Sequence, residues 1–149
     1  MTQGGDKKIL VLNGPNLNML GMREPEIYGT GTLGDIEQKV IAHAEKLGYS
    51  IDFRQSNSEG ELVTWIQQAG RGNRAIILNA GAYSHTSIAI LDALKTTDLP
   101  VIEVHLSNIF AREPYRHHSY ISPVAAGVIC GFGDKSYILA LDALNDILV

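Results

Sequence analysis

Ile9-Leu10-Val11-Leu12 is an unbroken apolar run that gives way to the polar stretch Asn13-Gly14-Pro15-Asn16-Leu17-Asn18-Met19-Leu20-Gly21-Met22-Arg23-Glu24-Pro25-Glu26-Ile27-Tyr28-Gly29. Four apolar residues in a row, without alternation, fit a strand of a parallel sheet covered by helices on both faces. A long loop leaving such a strand is usually functional in a compact domain. This one carries asparagines, an arginine and a tyrosine punctuated by glycines and prolines. Such a composition suits a polar site beneath a lid at about residues 18–29.

The same kind of run recurs at residues 49–53, 75–78, 101–104 and 128–130. Between the runs lie segments of helical period. Leu33, Ile36, Val40, Ala44 and Leu47 share one face, with Thr32 as the N-cap. Leu62, Trp65, Ile66 and Ala69 follow Ser58-Glu59-Gly60-Glu61, a capping-box pattern. Ile88, Leu91 and Leu94 mark a third helix beginning after Ser84 or His85, and Ile138, Leu141, Leu144 and Leu148 a fourth. Strands alternating with helices predict a single α/β domain over residues 1–149, a flavodoxin-like doubly wound five-stranded parallel sheet with helices on both faces. Residues 1–6, polar and glycine-rich, are expected to be flexible.

The chain has 149 residues, of which 45% are hydrophobic and 19% charged, with a formal net charge of −4. An acidic balance argues against nucleic acid or an anionic membrane as the partner, since both need a basic footprint. No apolar run approaches the roughly 20 residues of a membrane span, and no secretory segment opens the chain. One cysteine, Cys130, rules out an internal disulfide and suits a cytoplasmic location. Its place in an apolar run reads as a small core residue.

Ligands of open parallel sheets bind beyond the carboxyl ends of the strands. The candidate residues there are Asn13, Asn16, Asn79, His85, Glu103, His105, Ser107, Arg112 and Arg116. Glu103 and His105 stand two apart on one strand and face the same way. The pair is either an acid–base unit, with the carboxylate orienting the imidazole, or a hydrogen bond that closes a strand end. Tyr28 and Arg23 share a loop. A free phenol is ionised in only about one molecule in a thousand at pH 7, and bringing it to neutrality takes about 4 kcal/mol of preference for the anion, within reach of close arginines. The alternative is a tyrosine stacked on an arginine. Asn13, Asn16 and Asn79 are either hydrogen-bonding groups around a developing oxyanion or turn residues. His85 either meets a ligand or caps the third helix, Arg112 and Arg116 either hold an anion or are solvated, and His117 and His118 read as surface residues. No His-x-x-x-His pair or comparable spacing predicts a metal site.

Five segments carry a resemblance to a known family. They are Asn13-Gly-Pro-Asn-Leu-Asn-x-Leu-Gly-x-Arg23-x-Pro-x-x-Tyr28-Gly29, Gln55-Ser-Asn-x-Glu-Gly60, Leu78-Asn-Ala-Gly-Ala-Tyr-x-His85-Thr-Ser87, Glu103-Val-His105-Leu-Ser107-Asn108 with Arg112 and Arg116, and Gly131-Phe-Gly133. Together they resemble the type II 3-dehydroquinate dehydratases across nearly the whole chain. The resemblance implies anti elimination of water from 3-dehydroquinate to 3-dehydroshikimate through an enolate, in the shikimate pathway or in quinate catabolism, with no metal or organic cofactor. It implies Tyr28 as the base that takes the C2 proton, held as phenolate near Arg23 and Arg112. Asn16 positions a water at the enolate, and His105 is the acid, oriented by Glu103.

It further implies Leu106 and Ser107 at the substrate carboxylate, and Asn79, His85 and Arg116 around carboxylate and ring hydroxyls. Asp92 corresponds to a residue that reaches a neighbouring subunit's site, in a homo-oligomer that is usually a dodecamer, a tetramer of trimers. Pro114 and Tyr115 stand where the family is more variable and often has phenylalanine before Arg116. A second reading keeps the fold and pocket but not the chemistry: a catalytically silent sugar-acid-binding or assembly protein. The intact Arg23, Tyr28, Asn16, Glu103 and His105 set favours the enzyme.

Overall fold

The structure is a computed structural model that describes residues 7–22, 26 and 31–149. The segment 1–6 expected to be flexible, and much of the expected lid including Arg23 and Tyr28, lie outside those residues. The strands are β1 (Lys8–Asn13), β2 (Ser50–Gln55), β3 (Asn73–Asn79), β4 (Val101–His105) and β5 (Gly127–Cys130). The helices are α1 (Leu33–Leu47), α2 (Glu59–Gln68), α3 (Ile88–Leu94) and α4 (Lys135–Leu148). All strand pairs are parallel, in the order β2-β1-β3-β4-β5. That is the flavodoxin-like order, as expected.

Successive side chains of a strand point to opposite faces. Ile9 and Val11 of β1, Ala75 and Ile77 of β3, and Ile102 and Val104 of β4 therefore bury one way. They meet Ile36, Val40 and Ala44 of α1 and Tyr137, Ala140, Leu141 and Leu144 of α4. Leu10, Leu12, Ile76, Leu78 and Val101 bury the other way, against Leu62 and Ile66 of α2 and Ile90, Ala93 and Leu94 of α3. The unbroken apolar runs are thus two interleaved half-runs, one for each core.

The expectation of full cover holds for β1, β3 and β4 but not for the edges. β2 and β5 are half-buried, since an edge strand has a neighbour on one side only. β2 offsets this with charge, Arg54 Nη2 lying 2.8 Å from Asp52 Oδ2. Cys130, read as core, is half-buried on the edge strand β5.

The helix starts follow their caps. Thr32 Oγ1 accepts from Asp35 N at 3.1 Å while Asp35 Oδ2 accepts from Thr32 N at 3.0 Å, a complete capping box. At α2 only half of the expected box forms. Ser58 Oγ accepts from Glu61 N, but Ser58 N donates to Ser56 Oγ rather than to Glu61. α3 begins later than expected, because Gly81–His85 is a 3-10 turn and the cap is Ser87, whose Oγ accepts from Ile90 N at 2.9 Å. Its inward face is Ile90, Ala93 and Leu94, and Ile88 is 54% exposed. Seven residues span too few turns for the apolar spacing to fix that phase. Among the described residues no helix is long and apolar enough to cross a membrane.

Candidate active site

β1 and β3 are neighbours, and the loops leaving them are pressed together at the point where the strand order reverses. Gly14 N donates to Asn79 O at 2.8 Å, and a Cβ on Gly14 would lie 2.3 Å from Ala80 O, so only glycine fits. Asn16 takes a left-handed backbone, φ 70°, alone among the described non-glycine residues. Asparagine tolerates that conformation, and strain of this kind gathers at functional sites. Its N–H donates to Asn57 Oδ1 at 3.0 Å.

Below this junction lies a buried polar floor. Tyr137 of α4 donates its hydroxyl hydrogen to Asn13 Oδ1 at 2.6 Å and accepts from Asn79 Nδ2 at 2.9 Å. Burial pushes the Tyr137 phenol far up, only partly opposed by the bond from Asn79, so it stays neutral. Asn13 Nδ2 donates to Arg54 O and Asn79 Oδ1 accepts from Gly81 N. Asn13 is fully buried with its amide engaged on both sides, so the oxyanion reading fails for it. Asn79 keeps an edge on the cleft above.

β4 delivers the acid–base pair. His105 Nε2 lies 2.6 Å from Glu103 Oε2, with the carboxylate fully buried. Burial opposes the charge on Glu103. The hydrogen bonds from His105 and Ser122, the charge of His105 and the bond from Ser119 outweigh it and hold the carboxyl below its usual range. The ionised carboxylate therefore takes the Nε2 proton of His105 as donor and leaves Nδ1 for a ligand.

His85 stacks on His105 with ring centroids 6.2 Å apart, and its Nδ1 lies 2.8 Å from His118 O. It does not cap α3, as one reading had it. Desolvation lowers its pKa, and His105 and Arg116 push the same way against the pull of His118 O and Glu103. A neutral ring with Nδ1–H on a carbonyl presents Nε2 as an acceptor.

After β4 the chain makes two short 3-10 turns, Ile109–Ala111 and Pro114–Arg116. They turn Arg112 and Arg116 into the same cleft. Arg112 Nη1 is 3.3 Å from Ser107 Oγ, and Arg116 Nε donates to Glu113 Oε1 at 2.9 Å. Tyr115 donates its hydroxyl hydrogen to the other oxygen of Glu113. Glu113 is held down to about 2 by its own backbone N–H, then by Tyr115 and Arg116.

The cleft between these loops has a volume of about 120 Å³. Asn16, Asn79, His85, His105, Leu106, Ser107, Arg112 and Arg116 all line it. Glu103 stands behind His105, off the surface of the cleft. Asp92 is exposed on α3 and does not line it. Arg23 and Tyr28 lie outside the described residues. Pro15, Leu17, Gly81, Ala82 and Ile109 also line the cleft, and of these Leu17 and Ile109 were not anticipated. Gly81 follows the strand end at Asn79 and has φ 60°. Two guanidinium groups and an imidazole dipole around a small polar cleft suit a compact anion bearing hydroxyl or carbonyl groups.

The family model described as Dehydroquinase class II matches residues 7–145. The chain belongs to this family. Among class II dehydroquinase relatives, a 3-dehydroquinate dehydratase of Azorhizobium caulinodans is 60% identical over 136 residues, 91% of this chain and 92% of that protein. One of Brucella canis is 59% identical over 138 residues, 93% of this chain and 88% of that protein. The crystal structure of type II dehydroquinase from Propionibacterium acnes superposes with a TM-score of 0.90 at 48% identity, covering 94% of this chain and 97% of that one. The fold is therefore that of the family's solved structures.

Proposed function

We infer that the chain is a type II 3-dehydroquinate dehydratase, a hydro-lyase that converts 3-dehydroquinate to 3-dehydroshikimate. The observation that carries this is 60% identity to a curated 3-dehydroquinate dehydratase over nine-tenths of the chain. The cleft lined by His105, Arg112 and Arg116, with Glu103 behind the imidazole, supports this reading.

We propose the following roles. Tyr28, as phenolate beside Arg23 and Arg112, removes the C2 proton, which the neighbouring ketone acidifies. Asn16 holds a water against the enolate oxygen, so base and oxyanion stabilisation act on one barrier. Hydroxide is a poor leaving group, and His105, entering the step as imidazolium, gives its Nδ1 proton to the C1 hydroxyl as it departs while Nε2–H stays on Glu103 at 2.6 Å. Base and acid act from opposite sides of the ring, giving anti elimination. The backbone N–H groups of Leu106 and Ser107 take the carboxylate, while Asn79, His85 and Arg116 orient the ring. The stretch 18–29 closes over the cleft, excluding water and strengthening the phenolate–arginine attraction.

Asp92, exposed on α3, suits a role in a neighbour's cleft within a dodecamer of three-fold units. A cytoplasmic location suits the lone cysteine. Turnover is read as enone absorbance appearing from 3-dehydroquinate in chelator-treated buffer. Wild type is expected to be active and Tyr28→Phe to lose at least about a hundredfold in kcat. A folded, assembled wild type without absorbance change would refute the enzyme and favour a silent binding protein.

A further inference from the structure

Among the described residues Glu103 is the one acidic side chain that is buried, and three groups surround its two oxygens. Oε2 lies 2.6 Å from His105 Nε2 and accepts from Ser119 Oγ at 2.7 Å. Oε1 accepts from Ser122 Oγ at 2.5 Å. This convergence follows from strand parity. Glu103 faces the same way as Val101, and the segment around Ile121, itself fully buried in that core, closes over this face. Neither serine lines the cleft.

The two serines differ in duty. Ser119 Oγ also accepts from Ile121 N at 3.1 Å and Ser122 N at 3.3 Å, which ties it to the turn that it builds. Ser122 begins the 3-10 turn Ser122–Val124 and gives its hydroxyl hydrogen to the carboxylate. A carboxylate pinned at one oxygen only swings about a soft terminal torsion. Pinned at both, it offers a fixed lone pair to the imidazole.

We propose that Ser119 and Ser122 are positioning residues for the acid of the elimination, fixing both oxygens of Glu103 so that His105 keeps its Nε2–H on the carboxylate and one ring orientation, with the Nδ1 that carries the transferred proton on the substrate side. The proposal rests on the dehydratase reading and deepens it by one layer behind the cleft. Ser119 and Ser122 stabilise the ionised carboxylate, so loss of one bond leaves Glu103 pulling harder on the imidazole N–H. The other groups near the pair are His85 from the Gly81–His85 turn, and Arg112 and Arg116 across the cleft. In the sheet Glu103 is flanked by Leu78 and Val128, and His105 by Cys130.

The test compares pH profiles of kcat and KM for full-length wild type, Ser122→Ala, Ser122→Thr, Glu103→Gln and the double variant Ser122→Ala/Glu103→Gln. Ser122→Ala is expected to lower kcat roughly tenfold with KM within about twofold, as for an interaction used in the transition state. Its basic limb is expected to move up by roughly half a pH unit. Ser122→Thr is expected to restore both, and the Ser122→Ala effect is expected to vanish in the Glu103→Gln background. An active wild type with an unchanged Ser122→Ala variant would overturn the proposal. So would a kcat loss with an unmoved limb, or a loss that persists in full without the Glu103 carboxylate. An inactive wild type would instead strike the dehydratase reading itself.

Discussion

At the scale of single residues, the three asparagines of the strand ends read alike in the sequence and part company only through burial. Asn13 and Asn79 hang from the hydroxyl of Tyr137, a residue that reads as plain helix, and Asn16 stands above them in the left-handed region. No spacing rule joins residues 13 and 137, so that floor was not legible. Tyr137→Phe leaves Asn13 Oδ1 and Asn79 Nδ2 short of a partner in a buried place. It is expected to cost about 1–3 kcal/mol by urea unfolding, with kcat/KM reduced through the loosened Asn79. Glu103 and His105, by contrast, were legible, because residues two apart on a strand must share a face. The folded-state pKa of Glu103 lies below its reference value of 4.5. Its charge therefore adds stability that is complete above that value and lost as pH falls through the lowered one. Urea midpoints measured from neutral pH downward should fall less steeply in that acid window for Glu103→Gln than for wild type.

At the scale of elements, helices with strong caps and several turns could be read from the chain, as α1 was from Thr32 and its apolar stripe. α3 could not, since its seven residues follow a 3-10 turn whose hydrogen bonds depend on packing and not on composition. Ser87 sets that boundary. It caps α3 through Ile90 N and donates its hydroxyl hydrogen to Glu59 of α2, tying two helix starts beside the turn that carries His85. Ser87→Ala is expected to destabilise the protein by about 1–2 kcal/mol, visible as a lower urea midpoint at an unchanged slope. An unchanged midpoint would mean that water satisfies the end of α3 equally well. The edge strands were misjudged for a related reason, because periodicity reports which residues are apolar and not how many neighbours a strand has.

At the scale of the whole molecule, the order β2-β1-β3-β4-β5 places the crevice at the reversal of strand order between β1 and β3, and β4 brings the acid–base pair to its rim. Phe110, Tyr115 and Phe132 are each at least 60% exposed on a single chain. Sedimentation is expected to give a mass near twelve times 16.2 kDa, and a monomer would contradict the proposed assembly. The proposed elimination, by a base and an acid on opposite sides of the substrate ring, is tested most directly by turning over the two 3-dehydroquinates stereospecifically deuterated at C2 and weighing the product. Loss of the deuterium anti to the C1 hydroxyl, with the other retained, is the predicted result; loss of the syn deuterium would contradict it.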